Sequence, residues 1–272
     1  MEHKTRVIAL EGALNAREMG GLPLKNGRHV KFRRLIRTGR LSDLTDQDCK
    51  VLSNIWHVKK IIDLRNDCEI SEYPDVMLEG AEFQQIDLLS GKMEGISRED
   101  QGLSMIDYAI MRAKNLAQGD GAGHLLTQMY GRMAENQGCI KKIREFFDVL
   151  QLQKEGSVIW HCTSGKDRTG VTGALLLYVL GADMETIKED YLYTNEQNRE
   201  YRESLLHEMK CHGADEKQLR EMRILESVDW AYIQKFFETV KSTYGSVDAF
   251  LSEQIGITET RTEIFREMYT EG

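Results

Sequence analysis

Between His161 and Gly170 the chain reads HCTSGKDRTG, which gathers a thiol, cationic, acidic and hydroxyl side chains around Gly165. Apolar residues lead in (Val158, Ile159, Trp160), and an apolar helical stripe leads out (Val171, Ala174, Leu175, Tyr178). The pattern predicts a strand that ends, a backbone turn, and a helix starting near Arg168 or Thr169. Such a turn points several amide N–H groups into one concavity, and the helix dipole adds partial positive charge there. That is a nest for a tetrahedral oxyanion, and Thr163, Ser164, Gly165, Lys166, Asp167 and Arg168 are its candidate phosphate-binding residues. Gly165 allows a backbone angle or close approach that a side chain would block, and the planar fork of Arg168 can take two phosphate oxygens at once. Cys162 sits at the base. Thiols at helix N-termini ionise well below the roughly 8.5 of a free cysteine, so the nest that holds phosphate also favours a thiolate nucleophile. His161 is placed to fix the loop, and Thr169 to donate a hydroxyl to the sulfur as it leaves.

The spacing Cys162-x5-Arg168 followed by Thr169 and Gly170 resembles the loop of cysteine-dependent phosphatases. Longer stretches in the same order strengthen the likeness: NAREMGGLPLKNGRHVKFRRLIRTGRLSDLTDQD from Asn15 to Asp48, IIDLRNDCEISEYPD from Ile61 to Asp75, then the loop, then EDYLYTNE and YGSVDAFLSEQIGIT. Together they resemble the bacterial and fungal tyrosine-phosphatase family whose loop reads His-Cys-x-x-Gly-Lys-Asp-Arg-Thr. Some members of that family act on phosphotyrosine, phosphoserine/threonine and phosphoinositides. The resemblance implies a central, mostly parallel sheet with helices on both sides, and a two-step reaction through a phosphocysteine. It also implies no metal or other cofactor, and a phosphorylated protein or phosphoinositide as substrate. It favours Asp167 as general acid. Lys166 and Arg168 favour the carboxylate of Asp167, whereas an acid must carry a proton to donate; a bound phosphate dianion opposes that field. Asp63 and Asp87, at the ends of strand-like segments, are the alternative acids, Asp63 and Arg65 read equally as structural partners at a strand end, and Asp75 in the Tyr-Pro-Asp stretch reads as a turn residue. Lys166, a second cation in the loop, suits substrates with more than one phosphate. Two other classes stay open. One is a binding protein that holds phosphopeptide or phospholipid without turnover; the other is arsenate reduction, which would need resolving thiols within reach.

The elements that must position this loop give the fold class. HVKKIIDLR, EFQQIDLL and SVIWH are strand-like, and longer helical stripes lie between and after them, such as Ile140, Ile143, Phe146, Phe147 and Leu150, and Trp230, Ile233, Phe237 and Val240. Alternation of this kind predicts an α/β protein. At 272 residues one phosphatase domain over 1–272 fits, with 88–136, which holds the glycine-rich AQGDGAG, as a helical lid or insertion. Asp183 to Lys210 reads as one or two helices. Arg33, Arg34, Arg37 and Arg40 lie on a loop and hairpin, close enough in sequence to edge a phosphate pocket, with Arg37 the best candidate for a structural role. Lys plus Arg number 36 against 44 Asp plus Glu, a net charge of −8, which argues against non-specific nucleic-acid binding. No apolar run reaches membrane-spanning length, and the opening MEHKTRVIALEGAL lacks the pattern of a secretory signal. The five cysteines lack CxxC spacing, as expected of reduced thiols in the cytoplasm.

Overall fold

Residues of Ser157–His161 alternate between two apolar surroundings, which is what a strand buried on both faces requires. In the computed structural model, which describes residues 6–89 and 103–272, Val158 and Trp160 point into one core cluster and Ile159 into another. Neighbouring strands repeat the division, with Leu35 and Ile62 on the first side and Ile36 and Ile61 on the second.

The main sheet contains β1 (Arg17–Glu18), β3 (Leu35–Thr38), β4 (Val58–Asp63), β5 (Glu82–Gln85) and β6 (Ser157–His161), in the order β1-β3-β6-β4-β5. Only β1 runs antiparallel; β3, β6, β4 and β5 are mutually parallel. A small antiparallel pair joins β2 (His29–Val30) to β7 (Thr270–Glu271). The register sets His161 beside Thr38 on one side and Asp63 on the other. Three parallel strands therefore end at one edge, where open α/β sheets place their ligands.

The larger core holds α5 (Gln137–Leu152) and α6 (Asp167–Leu180), with Phe146, Phe147, Val171 and Leu175 against the sheet. The predicted stripe of α5 is buried throughout. α6 is buried along nearly its whole length and ends at Gly181, whose φ of 99° gives the left-handed cap. The opposite face has a thinner cover: the N-terminal segment, α1 (Asp46–Lys50) and a π-helical turn at Val51–Ile55. The chain is thus α/β, with more helix than strand around a mainly parallel sheet, and α2 (Asp67–Glu72) connects β4 to β5.

The expected lid or insertion falls partly on 90–102, outside the described residues. The remainder holds α3 (Met105–Gln118) and α4 (Ala122–Glu135). The stretch read as one or two helices forms three, α7 (Met184–Leu192), α8 (Thr194–Gln197) and α9 (Arg199–Cys211). They precede α10 (Glu216–Leu225) and α11 (Trp230–Tyr244). α3 packs on α9 and α10, and α4 on α5, α10 and α11. The short α12 (Val247–Ala249) and then α13 (Glu259–Tyr269) close the chain's helical layer, with α13 on α6.

Candidate active site

β6 ends at His161, and α6 begins at Asp167, one residue earlier than the sequence pattern predicts. The turn between them is held from outside by its carbonyls. Arg40 N–H donates to the Thr163 carbonyl at 3.0 Å, and Asn198 Nδ2 to that of Ser164 at 3.3 Å. The Gly165 carbonyl accepts from Asn15 Nδ2 at 2.7 Å and from Arg37 at 3.1 Å. Across a trans peptide the N–H lies opposite the C=O, so these tethers turn the amides of Ser164, Gly165 and Lys166 the other way, into the concavity. Gly165 has φ of 64°, and a Cβ there would lie 2.4 Å from the Thr38 carbonyl oxygen. No other residue fits that position without displacing β3.

Cys162 forms the floor, 3% exposed. Above it opens a cavity of about 220 Å³, lined at the polar end by Thr163, Ser164, Lys166, Asp167 and Arg168. Apolar side chains from four helices make the other wall: Ala109 of α3, Leu126 and Met129 of α4, Leu205 of α9, and Met222 of α10. Arg40 and Tyr73 also line it, the guanidinium 4.0 Å from the ring centroid.

Arg168 is buried and forms a two-pronged pair with Glu69 of α2, both contacts at 2.7 Å. Glu69 also accepts from the Thr163 hydroxyl at 2.6 Å and, as a capping residue, from the Asn66 N–H at 3.1 Å. Burial opposes ionisation of Glu69, but the Arg168 charge and these hydrogen bonds outweigh it and bring its pKa down to about 2. Burial likewise opposes the charge of Arg168, and Glu69 more than restores it, holding the guanidinium cationic.

Lys166 Nζ donates to Asp167 Oδ2 at 2.6 Å, and the Tyr130 hydroxyl to Oδ1 at 2.8 Å. His161 is fully buried: Nε2 lies 3.0 Å from Asp75 and Nδ1 3.8 Å from Asp63. Arg65 bridges the same two carboxylates at 2.7 and 2.8 Å. The ligand atoms of Asp63, Asp75 and His161 fall within 4.8 Å of one another, close enough to share a metal. The Arg65 guanidinium already supplies the cation those carboxylates need, so the cluster reads as a buried ion network bracing β4 and β6. Asp63 faces this network and not the cavity; Asp87, half-buried beyond β5, does not line the cavity either. Asp75 accepts from the Leu41 N–H at 2.9 Å and belongs to the same brace. Thr169 is fully buried, and its hydroxyl has no hydrogen-bond partner among the described residues.

The family whose model is described as the tyrosine phosphatase family matches residues 8–271. The chain belongs to the tyrosine phosphatase family. It is an enzyme, as the resemblance implied. The Cupriavidus necator protein named "Putative tyrosine-protein phosphatase H16_A0669" is 27% identical to it over 252 residues, 92% of this chain and 84% of that protein. A tyrosine-protein phosphatase of Nostoc commune is 30% identical over 57% of this chain and 46% of its own. The triple specificity protein phosphatase PtpB of Mycobacterium tuberculosis is 27% identical over 49% of this chain and 51% of its own.

Several residues of this tyrosine phosphatase that shape the loop carry no local signature. Glu69 reads in the sequence only as position N3 of a capping box begun by Asn66, which it is, but its second role needs Arg168. Behind the loop, Asp190 of α7 pairs with Arg6, Arg17 and Arg37 at 3.1, 3.2 and 2.8 Å. Burial works against its charge, and the three guanidiniums overcome it, holding Asp190 well below the ordinary carboxylate range. Burial, then the neighbouring Arg37, bring Arg17 down to about 9. Arg37 thus ties Gly165 to a buried charge cluster, while Arg34 reaches the carbonyls of Gln153 and Lys154. Of the four clustered arginines, Arg40 lines the cavity.

Proposed function

We propose that this phosphatase hydrolyses phosphate monoesters through a phosphocysteine on Cys162, with phosphotyrosine as its main substrate and phosphoserine, phosphothreonine and phosphoinositides as further ones. The observation that carries the reading is the placement of Cys162 at the floor of a cavity, polar at the loop and largely apolar opposite. A phosphate seated on the loop amides projects its ester group between Met129, Leu205 and Met222, a setting made for an aromatic ring. Cys162 attacks phosphorus, splitting one displacement into two. The amides of residues 163–168 and the Arg168 fork take the charge on the equatorial oxygens. Asp167, at the cavity wall, protonates the leaving group and then activates water. The unpartnered Thr169 hydroxyl suits the sulfur as leaving group, and His161 holds the end of β6 through Asp75. Asp63 is committed to Arg65, which favours Asp167 as the acid. Lys166 provides a second cation for multiply phosphorylated ligands, and a relative bearing "triple specificity" in its name supports the breadth. Residues 1–272 act as one catalytic domain, with 88–136 as a helical lid or insertion whose described helices, α3 and α4, line the cavity.

The test compares wild type with Cys162→Ser, with chelator present, on an aryl phosphate, phosphotyrosine and phosphoserine peptides, and soluble phosphoinositides. We expect wild-type turnover on the aryl and phosphotyrosine substrates, and none above background in the variant. Activity surviving in Cys162→Ser would refute the nucleophile, and phosphopeptide binding without turnover in wild type would make the protein a binding module. A wild type active on phosphotyrosine but releasing nothing from any phosphoinositide would remove the lipid substrates.

A further inference from the structure

Tyr130 plays no part in the chemistry above, yet it is fully buried on α4 and touches Asp167 from 37 residues away in the chain. An ionised carboxylate can only accept, so the Tyr130 hydroxyl spends its one proton on Oδ1. The Tyr191 hydroxyl, 2.7 Å from that of Tyr130, must then be the donor to Tyr130. The ring of Tyr191 lies close against Gly170, where a Cβ would be 2.9 Å from it. Tyr130 itself is packed between the rings of Tyr191 and Tyr232, at centroid distances of 6.4 and 5.8 Å. The two oxygens of Asp167 therefore differ. Oδ1 is held by a hydroxyl locked in an aromatic cluster, whereas Oδ2 is held by Lys166 Nζ, the end of a flexible four-carbon stem.

We infer that Tyr130 is a positioning residue for the proton transfer: by occupying Oδ1 it leaves Oδ2 as the oxygen that carries the proton, and a bound phosphate draws Lys166 off Oδ2. This rests on the reading of Asp167 as the acid. In the first displacement the proton on Oδ2 passes to the ester oxygen as its bond to phosphorus breaks and the sulfur–phosphorus bond forms. Asp167 is left as a carboxylate, with Tyr130 still donating to Oδ1. In the second, Oδ2 takes a proton from the attacking water, and the sulfur–phosphorus electron pair returns to sulfur. Burial, and next the charge of Asp167, push the Tyr130 phenol well above its ordinary value, so it remains a donor at every pH where the enzyme would work.

The test measures kcat and KM for 4-nitrophenyl phosphate, whose leaving group needs little protonation, and for phenyl phosphate, whose leaving group needs it. Wild type, Tyr130→Phe, Asp167→Asn and the double variant are compared. We expect the ratio of kcat/KM on nitrophenyl to kcat/KM on phenyl phosphate, which reads the first displacement, to rise about 100-fold in Asp167→Asn and about tenfold in Tyr130→Phe. KM should move little, and the double variant should match Asp167→Asn, since both act through one carboxylate. A raised ratio in Asp167→Asn with a wild-type ratio in Tyr130→Phe overturns the inference and leaves the acid in place. A wild-type ratio in Asp167→Asn overturns the acid assignment, and the inference with it. Should Tyr130→Phe not fold, Tyr191→Phe removes the donor behind it, and we expect the ratio to rise about threefold; a wild-type ratio there counts against the inference.

Discussion

Glu69 shows how one side chain can serve two masters at the residue scale. Its carboxylate closes the N-terminus of α2 and at the same time grips both arms of Arg168. Glu69 lines the same cavity as Arg168, and a guanidinium already held in this way would meet phosphate without first losing side-chain freedom; small misplacements of such groups cost rate steeply. We therefore predict that Glu69→Gln lowers kcat about tenfold or more on aryl and alkyl phosphates alike. The absence of leaving-group dependence separates this effect from that of Asp167, and an unchanged kcat would show that Arg168 needs no such support. That Cys162, Lys166 and Arg168 line one cavity is legible from their spacing because residues within one turn share one concavity, and the roles proposed for them rest on that placement. Glu69 was not legible in that way, since nothing local distinguishes a capping glutamate from one that also reaches across to another loop.

At the scale of elements, the junction of α6 with α7 explains the glycine that follows Thr169. The ring of Tyr191 lies where a side chain at position 170 would go, and the same α7 presents Asp190 to the three arginines. Gly170→Ala must push the helices apart or rotate the ring. Overpacking of this kind typically costs about 1–3 kcal/mol, and we expect urea unfolding to read a loss in that range; wild-type stability would mean that Tyr191 yields freely. Strand β6 was readable to the residue, because its short apolar run, the glycine before it and the loop after it agree. β1 and β2, of two residues each, were not, since so short a pairing leaves no periodicity and exists only by contact with β3 and β7.

Over the whole molecule, buried ion pairs bind segments far apart in the chain: Glu69 to Arg168, and Asp190 to Arg6, Arg17 and Arg37. Glu69 has a folded-state pKa of about 2 against an ordinary 4.5, so its stabilisation is present in full above about pH 4.5 and is lost as the pH falls toward 2. The shift corresponds to about 3 kcal/mol. Asp190, also depressed, adds to the loss in acid. We expect urea unfolding to show stability falling steeply below pH 4.5, with a shallower fall in Glu69→Gln; equal slopes would refute the assignment. What the sequence by itself determined is set by short stretches read one at a time: the strand, turn and helix around Cys162, and, from several such stretches in order along the chain, the α/β class and the family. Tertiary structure alone decided that Asp63 and Arg65 join Asp75 and His161 in one buried network, that Asp190 anchors the loop from behind, and that Tyr130 reaches Asp167. Those outcomes depend on which distant segments the sheet order brings to one edge. A charged or phenolic side chain carries no mark of its partner until packing supplies it.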